Sequence, residues 1–432
     1  MTALAIIAII IVWSAVSGPL DRRGVTSAMV FTLAGLVVGA SVLGILDLSP
    51  ESSAAERVTE IALALLLFGD ASRLDLHSLR RELGWPSRLL LIGMPLTLLA
   101  GTGVGLLVFP GMALASVVLL STMLASTDAA LGQKVVSDPS VPARVRQALD
   151  VESGLNDGLA VPFFLVALDL ANAELTKGIT SAVVTRAAEQ IGWGLTGGVA
   201  AGILGGLLFR VADDHGWISR EWRQILPLAT ALLAYAMAAG LGGSGFIAAF
   251  VGGMIFGRVS SEHGAATLFT EETGGLLAAV TWIGFGALAL GWALPHVTWQ
   301  VGLYAVLSLT LVRMIPVAIA MARSGARRPT VAFIGWFGPR GLATIVFGLL
   351  VYERGVPEQQ TLLTTVVVTV ALSVLLHGLS SVPLVSAYRR WYESHVAVHP
   401  ATPEATPATM PRRRRQVSAA DLERLAGEGA PD

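Results

Sequence analysis

The chain has 432 residues, of which 54% are hydrophobic and 14% charged, with a mean hydropathy of +0.69 and a formal net charge of −1. That balance points to an integral membrane protein and offers no basic surplus for binding nucleic acid, while the absence of cysteine removes disulfides, thiolate metal sites and thiol catalysis. Forty-seven glycines suit a helical bundle in lipid, because lipid supplies no hydrophobic drive between helices and small residues let backbones touch.

Apolar runs of about 17 to 25 residues predict helices over 2–18, 26–47, 55–70, 88–109, 112–133 and 145–171. Seven more follow over 182–209, 223–240, 244–257, 267–291, 298–321, 330–351 and 361–386, which makes thirteen. The first run lacks a basic leader and a small-residue cleavage site, so it reads as a retained helix. Lys and Arg alternate between the connections: sixteen lie on one side, among them Arg22, Arg23, Arg73, Arg144 and Arg327, against Arg57, Lys177, Arg186 and Arg354 on the other. The positive-inside rule then places the N-terminus outside and the C-terminal tail in the cytoplasm of a cell inner membrane.

The expected organisation is a transmembrane domain over 1–390, with a first repeat over about 2–171, a linking helix over about 182–209 and a second repeat over about 223–386. Residues 391–432 read as a cytoplasmic, mostly disordered tail carrying Arg412 to Arg415 and a short helix-like stretch around Asp421 to Leu425. The tail is too short for a nucleotide-binding domain. Its basic cluster reads as a topology-fixing charge run before it reads as a lipid ligand.

Three segments place polar groups at bilayer depth. In the sixth predicted helix, Glu152 and Asn156 are four residues apart, as are Ser153 and Asp157, so all four share one broad helix face. An acid at that depth costs roughly 2.5 to 3.5 kcal/mol and persists only where it is paired, solvated or used. In the fifth, Ser126-Thr127-Asp128 competes with the helical ladder for backbone groups and favours unwinding. In the twelfth, Gly335-Trp336-Phe337-Gly338-Pro339-Arg340-Gly341 sets a ring against the carbonyl four residues back, and a break is expected. If the repeats are inverted, the two breaks correspond, which is the sequence pointer to a transporter's ion site. Arg313 lies mid-membrane and calls for an acid that the sequence does not assign. His377 reads as a hydrogen-bonded interior residue, and His263 as part of a solvated loop.

Ser126-Thr127-Asp128-Ala129-Ala130-Leu131-Gly132, Val151 to Gly158 and Gly338-Pro339-Arg340-Gly341-Leu342 together resemble the signatures of NhaP/NHE-type cation/proton antiporters, in order and across the membrane region. The resemblance implies an all-α fold of inverted repeats, with two broken helices crossing near the bilayer midplane and a second domain mediating homodimerisation. It implies that Asp157 carries the ion, that Asn156 partners it, and that Thr127, Asp128 and Ser153 complete the cation and proton site. Glu152 and Arg340 match a buried ion pair, and Asp70, in Phe68-Gly69-Asp70, an accessory acid. Family members commonly carry proline after the fifth-helix aspartate, where this chain has Ala129.

The residue chemistry agrees with that function. Na⁺ is a hard cation that takes oxygen ligands, and a carboxylate that alternately binds Na⁺ and H⁺ couples them by competition. The expectation is therefore a secondary transporter exporting Na⁺, or Li⁺ or K⁺, in electroneutral exchange for H⁺, with no cofactor. A K⁺-selective antiporter of the same fold is the nearest alternative. A cation channel would carry current without proton coupling. An intramembrane hydrolase would need a nucleophile and base that are not legible here.

Overall fold

The computed structural model describes residues 2–46, 53–73, 84–175, 181–260, 266–399 and 401–405, and among these every regular element is helical. In chain order they are α1 (Thr2–Arg22), α2 (Ser27–Val38), α3 (Ser53–Ser72), α4 (Trp85–Val108), α5 (Leu114–Met123), α6 (Ala129–Ser137) and α7 (Ala143–Leu175). There follow α8 (Ser181–Asp214), α9 (Arg220–Gly240), α10 (Gly245–Ser260), α11 (Leu268–His296), α12 (Trp299–Ala320), α13 (Arg328–Trp336), α14 (Leu342–Arg354) and α15 (Gln359–Val398). Seven of them are long and apolar enough to cross a membrane, and α2, α5 and α10 are shorter apolar helices.

Two predicted helices divide where the sequence placed breaks. The fifth becomes α5 and α6, separated by 124–128, and the twelfth becomes α13 and α14, separated by 337–341. The last helix outruns its apolar stretch. Predicted to end near 386, it continues to Val398 and so passes the expected domain boundary at 390. Tyr388 stacks on Phe333 with ring centroids 4.3 Å apart, and Arg389 pairs with Glu393 one turn on at 2.8 Å. A tertiary stack and a local pair of this kind sustain helix after hydrophobicity has stopped. Residues 406–432, with the Arg412 to Arg415 run and the Asp421 to Leu425 stretch, lie outside the described residues.

Glycine sets the closest packing. Gly194, Gly198, Gly202 and Gly206 recur every fourth residue along α8 and turn one face toward α10. A Cβ on Gly198 would stand 2.6 Å from the carbonyl oxygen of Ala248, and one on Gly202 would stand 2.6 Å from that of Gly252. This is the small-residue packing by which membrane helices associate through van der Waals contact. Phe164 of α7 stacks on Phe347 of α14 at 4.2 Å. That stack holds the polar helix against one half of the second broken helix.

Gly202→Val is expected to force α8 off α10 at a cost of about 1–3 kcal/mol. Gly192→Ala, whose added methyl meets nothing within 4 Å, serves as control. Melting temperatures in detergent check the pair: a fall for the first with no change for the second is the expected result.

Candidate functional site

The two unwound segments meet, and Asp128 joins them. Its backbone N–H donates to the carbonyl of Pro339 at 2.8 Å. Its Oδ1 accepts from the N–H of Leu131 at 3.1 Å, capping the start of α6, while Oδ2 accepts from the N–H of Leu342 at 2.9 Å, capping the start of α14. One carboxylate thus serves two helix N-termini, where the amides are unpaired and the helix dipole favours negative charge. With Ala129 in place of the proline common in the family, the interruption still forms, since the Asp128 cap begins a new helix there. Gly341 makes the contact possible, because a Cβ at that position would lie 1.8 Å from Oδ2.

Arg340 does the complementary work. Fully buried, it donates from Nη1 to the carbonyls of Ala125 at 3.0 Å and Ser126 at 3.1 Å, and its backbone N–H donates to Ser373 Oγ of α15 at 2.7 Å. The expected Glu152–Arg340 ion pair is corrected by this geometry. Glu152 takes both oxygens to Arg313 of α12, at 2.5 and 2.7 Å, with both side chains almost wholly enclosed. The reason is local. Unwinding at 124–128 frees carbonyls that need a donor, and Arg340 turns Nη1 to them, whereas Arg313 presents its planar fork to the carboxylate. Gly338 makes room for it, since a Cβ there would lie 2.4 Å from Arg313 Nε. The mid-membrane charge that the sequence left unassigned is therefore the partner of Glu152.

The remaining predicted residues gather around this crossing. Asn156 is buried and donates from Nδ2 to the carbonyl of Ala125 and to Thr127 Oγ1, both at 3.3 Å. Ser153 donates to the carbonyl of Leu149 at 2.9 Å. Thr127, Asp128, Glu152 and Ser153 line one narrow cavity with Phe337 and Pro339. Asp157 does not line it; it stands one turn further along α7, partly exposed. Asp70 of α3 approaches the same helix, with its Cβ 3.6 Å from where a Cβ on Gly154 would sit.

Two further residues touch the crossing, one unforeseen and one, His377, the hydrogen-bonded interior residue expected. Ser373 was not singled out at all, although it accepts from Arg340. His377 donates from Nε2 to the carbonyl of Trp336 at 2.8 Å, while Nδ1 faces the Ser373 hydroxyl at 3.2 Å, an interior bridge from α13 to α15. His263 lies outside the described residues.

Chemically this is an oxygen-rich centre. Among the described residues, Asn156 Oδ1 and Ser126 Oγ are buried without a hydrogen-bond partner, and both are the hard donors a monovalent cation takes. The guanidiniums of Arg313 and Arg340 stand against the carboxylates of Glu152, Asp128 and Asp157, which share one electrostatic neighbourhood. With all five ionised, one negative charge is left over.

A bundle of membrane helices in which two interrupted helices cross at such a centre is the architecture of a secondary ion transporter. The chain belongs to the sodium/hydrogen exchanger family, whose transmembrane model matches residues 5–387. It is similar to the K(+)/H(+) antiporter NhaP2 of Shewanella sp. strain ANA-3, with 25% identity over 386 residues covering 83% of this chain and 62% of that protein. A Na(+)/H(+) antiporter of Schizosaccharomyces pombe is 24% identical over 317 residues, covering 65% of this chain and 67% of that one. The chain spans about 62% of the length of the NhaP2 relative. The fold matches that of the sodium proton antiporter MjNhaP1 from Methanocaldococcus jannaschii, with a TM-score of 0.67 and 20% identity over 87% of this chain and 97% of that one.

Arg313→Ala should strand the Glu152 carboxylate in the interior at a cost of about 3–5 kcal/mol, with part of the loss recovered by Glu152→Gln in the same chain. Thermal unfolding of the purified single and double variants checks this. A double variant less stable than Arg313→Ala alone would show that the pair does not hold these helices.

Proposed function

We propose that the protein exchanges a monovalent cation, Na⁺ first, for H⁺ across the cell inner membrane, with Asp157 binding the two in turn. The charge count carries the reading: Glu152, Asp128 and Asp157 against Arg313 and Arg340, with Asp70 on the approach left out, give one negative charge in excess, which one proton or one monovalent cation neutralises. Glu152 is committed to Arg313, and Asp128 to two helix starts, so neither can release its partners without loosening the crossing. Asp157 is the carboxylate in a position to alternate. Thr127, Ser153 and Asn156 supply neutral oxygens beside it, and Asp70 is an accessory acid on the approach. The same count favours one cation per proton.

The proposed architecture is thirteen passes in two inverted repeats, with the N-terminus outside, the tail in the cytoplasm and a homodimer as the assembly. The alternation of basic connections supports the orientation. A K⁺-selective exchanger is the second reading, favoured by the K(+)/H(+) antiporter relatives. Selectivity between Na⁺ and K⁺ rests on cavity dimensions that donor type alone does not set.

Asp157→Asn is expected to abolish cation-driven proton movement while leaving the protein in the membrane. Dequenching of a pH-sensitive dye in everted vesicles, titrated with Na⁺, Li⁺ and K⁺, tests this and ranks the cations. Appreciable Na⁺-driven dequenching in the variant would remove Asp157 from the role.

Competition for one carboxylate also fixes the pH dependence. Apparent cation affinity should weaken about tenfold for each unit the pH falls below the pKa of the carrier, and turnover should be bell-shaped in pH. Apparent KM values from pH 5 to 9 check this. A KM that stays constant while only the maximal rate changes would place the pH response at another group.

A further inference from the structure

Each broken helix begins with a residue that does not cap itself. Ala113 precedes α5 and Arg327 precedes α13, and neither side chain accepts a hydrogen bond from its own first turn. The first amides of a helix need acceptors. Here a distant glutamate supplies one in both cases. Glu358 accepts from the Ser116 hydroxyl at 2.5 Å and, at a long 3.5 Å, from the N–H of Ala113. Glu404 accepts from the N–H of Arg327 and the Thr330 hydroxyl, both at 2.8 Å. The two sets of contacts coincide in register: the amide before the helix, and a hydroxyl three residues on.

The glutamates also flank a single element. Glu358 immediately precedes α15, and Glu404 follows its end, after 40 helical residues that span about 60 Å. Midway, α15 holds the crossing itself through Ser373 to Arg340, His377 to Trp336, and Ser380, which accepts from Trp336 Nε1 at 2.9 Å. Both contacts are built. Glu358 adopts a left-handed backbone, φ 50°, which a side chain tolerates only where surrounding structure holds it. Glu404 is buried, with its other oxygen taken by the Thr402 hydroxyl, and the neighbouring Pro403 carbonyl accepts from Arg144 at 3.0 Å. Burial alone would push the Glu404 carboxyl up, but the hydrogen bonds from Arg327, Thr402 and Thr330 hold it below the usual range, so it caps as an anion at neutral pH.

We propose that Glu358 and Glu404 are positioning residues for exchange: by capping α5 from one face of the membrane and α13 from the other, they fix the depth at which the two unwound segments meet. α15 thereby sets both ends of the crossing from one helix. The role rests on the reading of Asp157 as carrier, because the crossing is what presents Thr127 and Asn156 beside it.

The test uses the full chain in proteoliposomes, with folded transporter quantified by size-exclusion chromatography. Glu358→Ala and Glu404→Ala should each raise the apparent KM for Na⁺ per folded molecule by about fivefold, the size of a lost helix cap, with the maximal rate less affected. Glu358→Gln and Glu404→Gln retain an acceptor oxygen and should return KM toward wild type. Should the alanine variants fail to fold, Ser116→Ala and Thr330→Val remove the partner hydroxyls instead and should raise KM in the same direction. A lowered melting temperature with an unchanged KM per folded molecule overturns the positioning role and leaves the glutamates as braces only. Asp157→Asn is measured alongside: exchange surviving in that variant removes the carrier reading, whereas its loss together with a normal KM in the glutamate variants removes only this inference.

Discussion

A backbone that unwinds inside a bilayer must find partners for the groups it frees, since no water is at hand and each unsatisfied group costs several kcal/mol. The rest of the site follows from how this chain meets that cost. Asp128 gives its two oxygens to the starts of α6 and α14, and Arg340 gives Nη1 to the carbonyls released at Ala125 and Ser126. Each residue belongs to one broken helix and satisfies the other. The crossing is therefore held by reciprocal charge-to-backbone contacts, with opposite signs placed at opposite helix ends as the dipoles favour.

That arrangement allots the remaining charges. With Arg340 committed to carbonyls, Glu152 needs another cation, and α12 delivers Arg313 in a two-pronged contact that closes off both side chains. Gly338 and Gly341 are the spatial cost of these contacts, since a methyl at either would occupy the place of a guanidinium or a carboxylate. The glycine face of α8 solves a different problem. It lets α10 lie close enough to support α7 from behind, where Gly158 receives the ring of Phe250.

Much of this was legible in the sequence, for physical reasons. Pro339 lacks an N–H, and Ser126 to Asp128 compete for backbone groups, so both breaks could be placed. Four-residue spacing alone puts Glu152, Ser153, Asn156 and Asp157 on one face. The partner of Glu152 could not be read in the same way. Arg313 and Arg340 both call for an acid, and the choice turns on which carbonyls the unwinding frees, a fact of three dimensions. The end of α15 escaped because hydropathy marks where lipid contact stops, and the helix there continues on an ion pair and an aromatic stack. Glu404 escaped for a related reason: a capping residue far along the chain carries no local signature.

The uneven charge at the crossing has a further consequence. Between binding events, a carrier that has released its cation and not yet taken a proton holds a bare negative charge in the interior, and moving that charge through hydrocarbon is costly. The loaded forms, neutral at the centre, escape the penalty. In the proposed exchange cycle, the imbalance that draws a cation in would thus also block the empty carrier from returning, which would suppress slippage and keep the two ion gradients from dissipating independently.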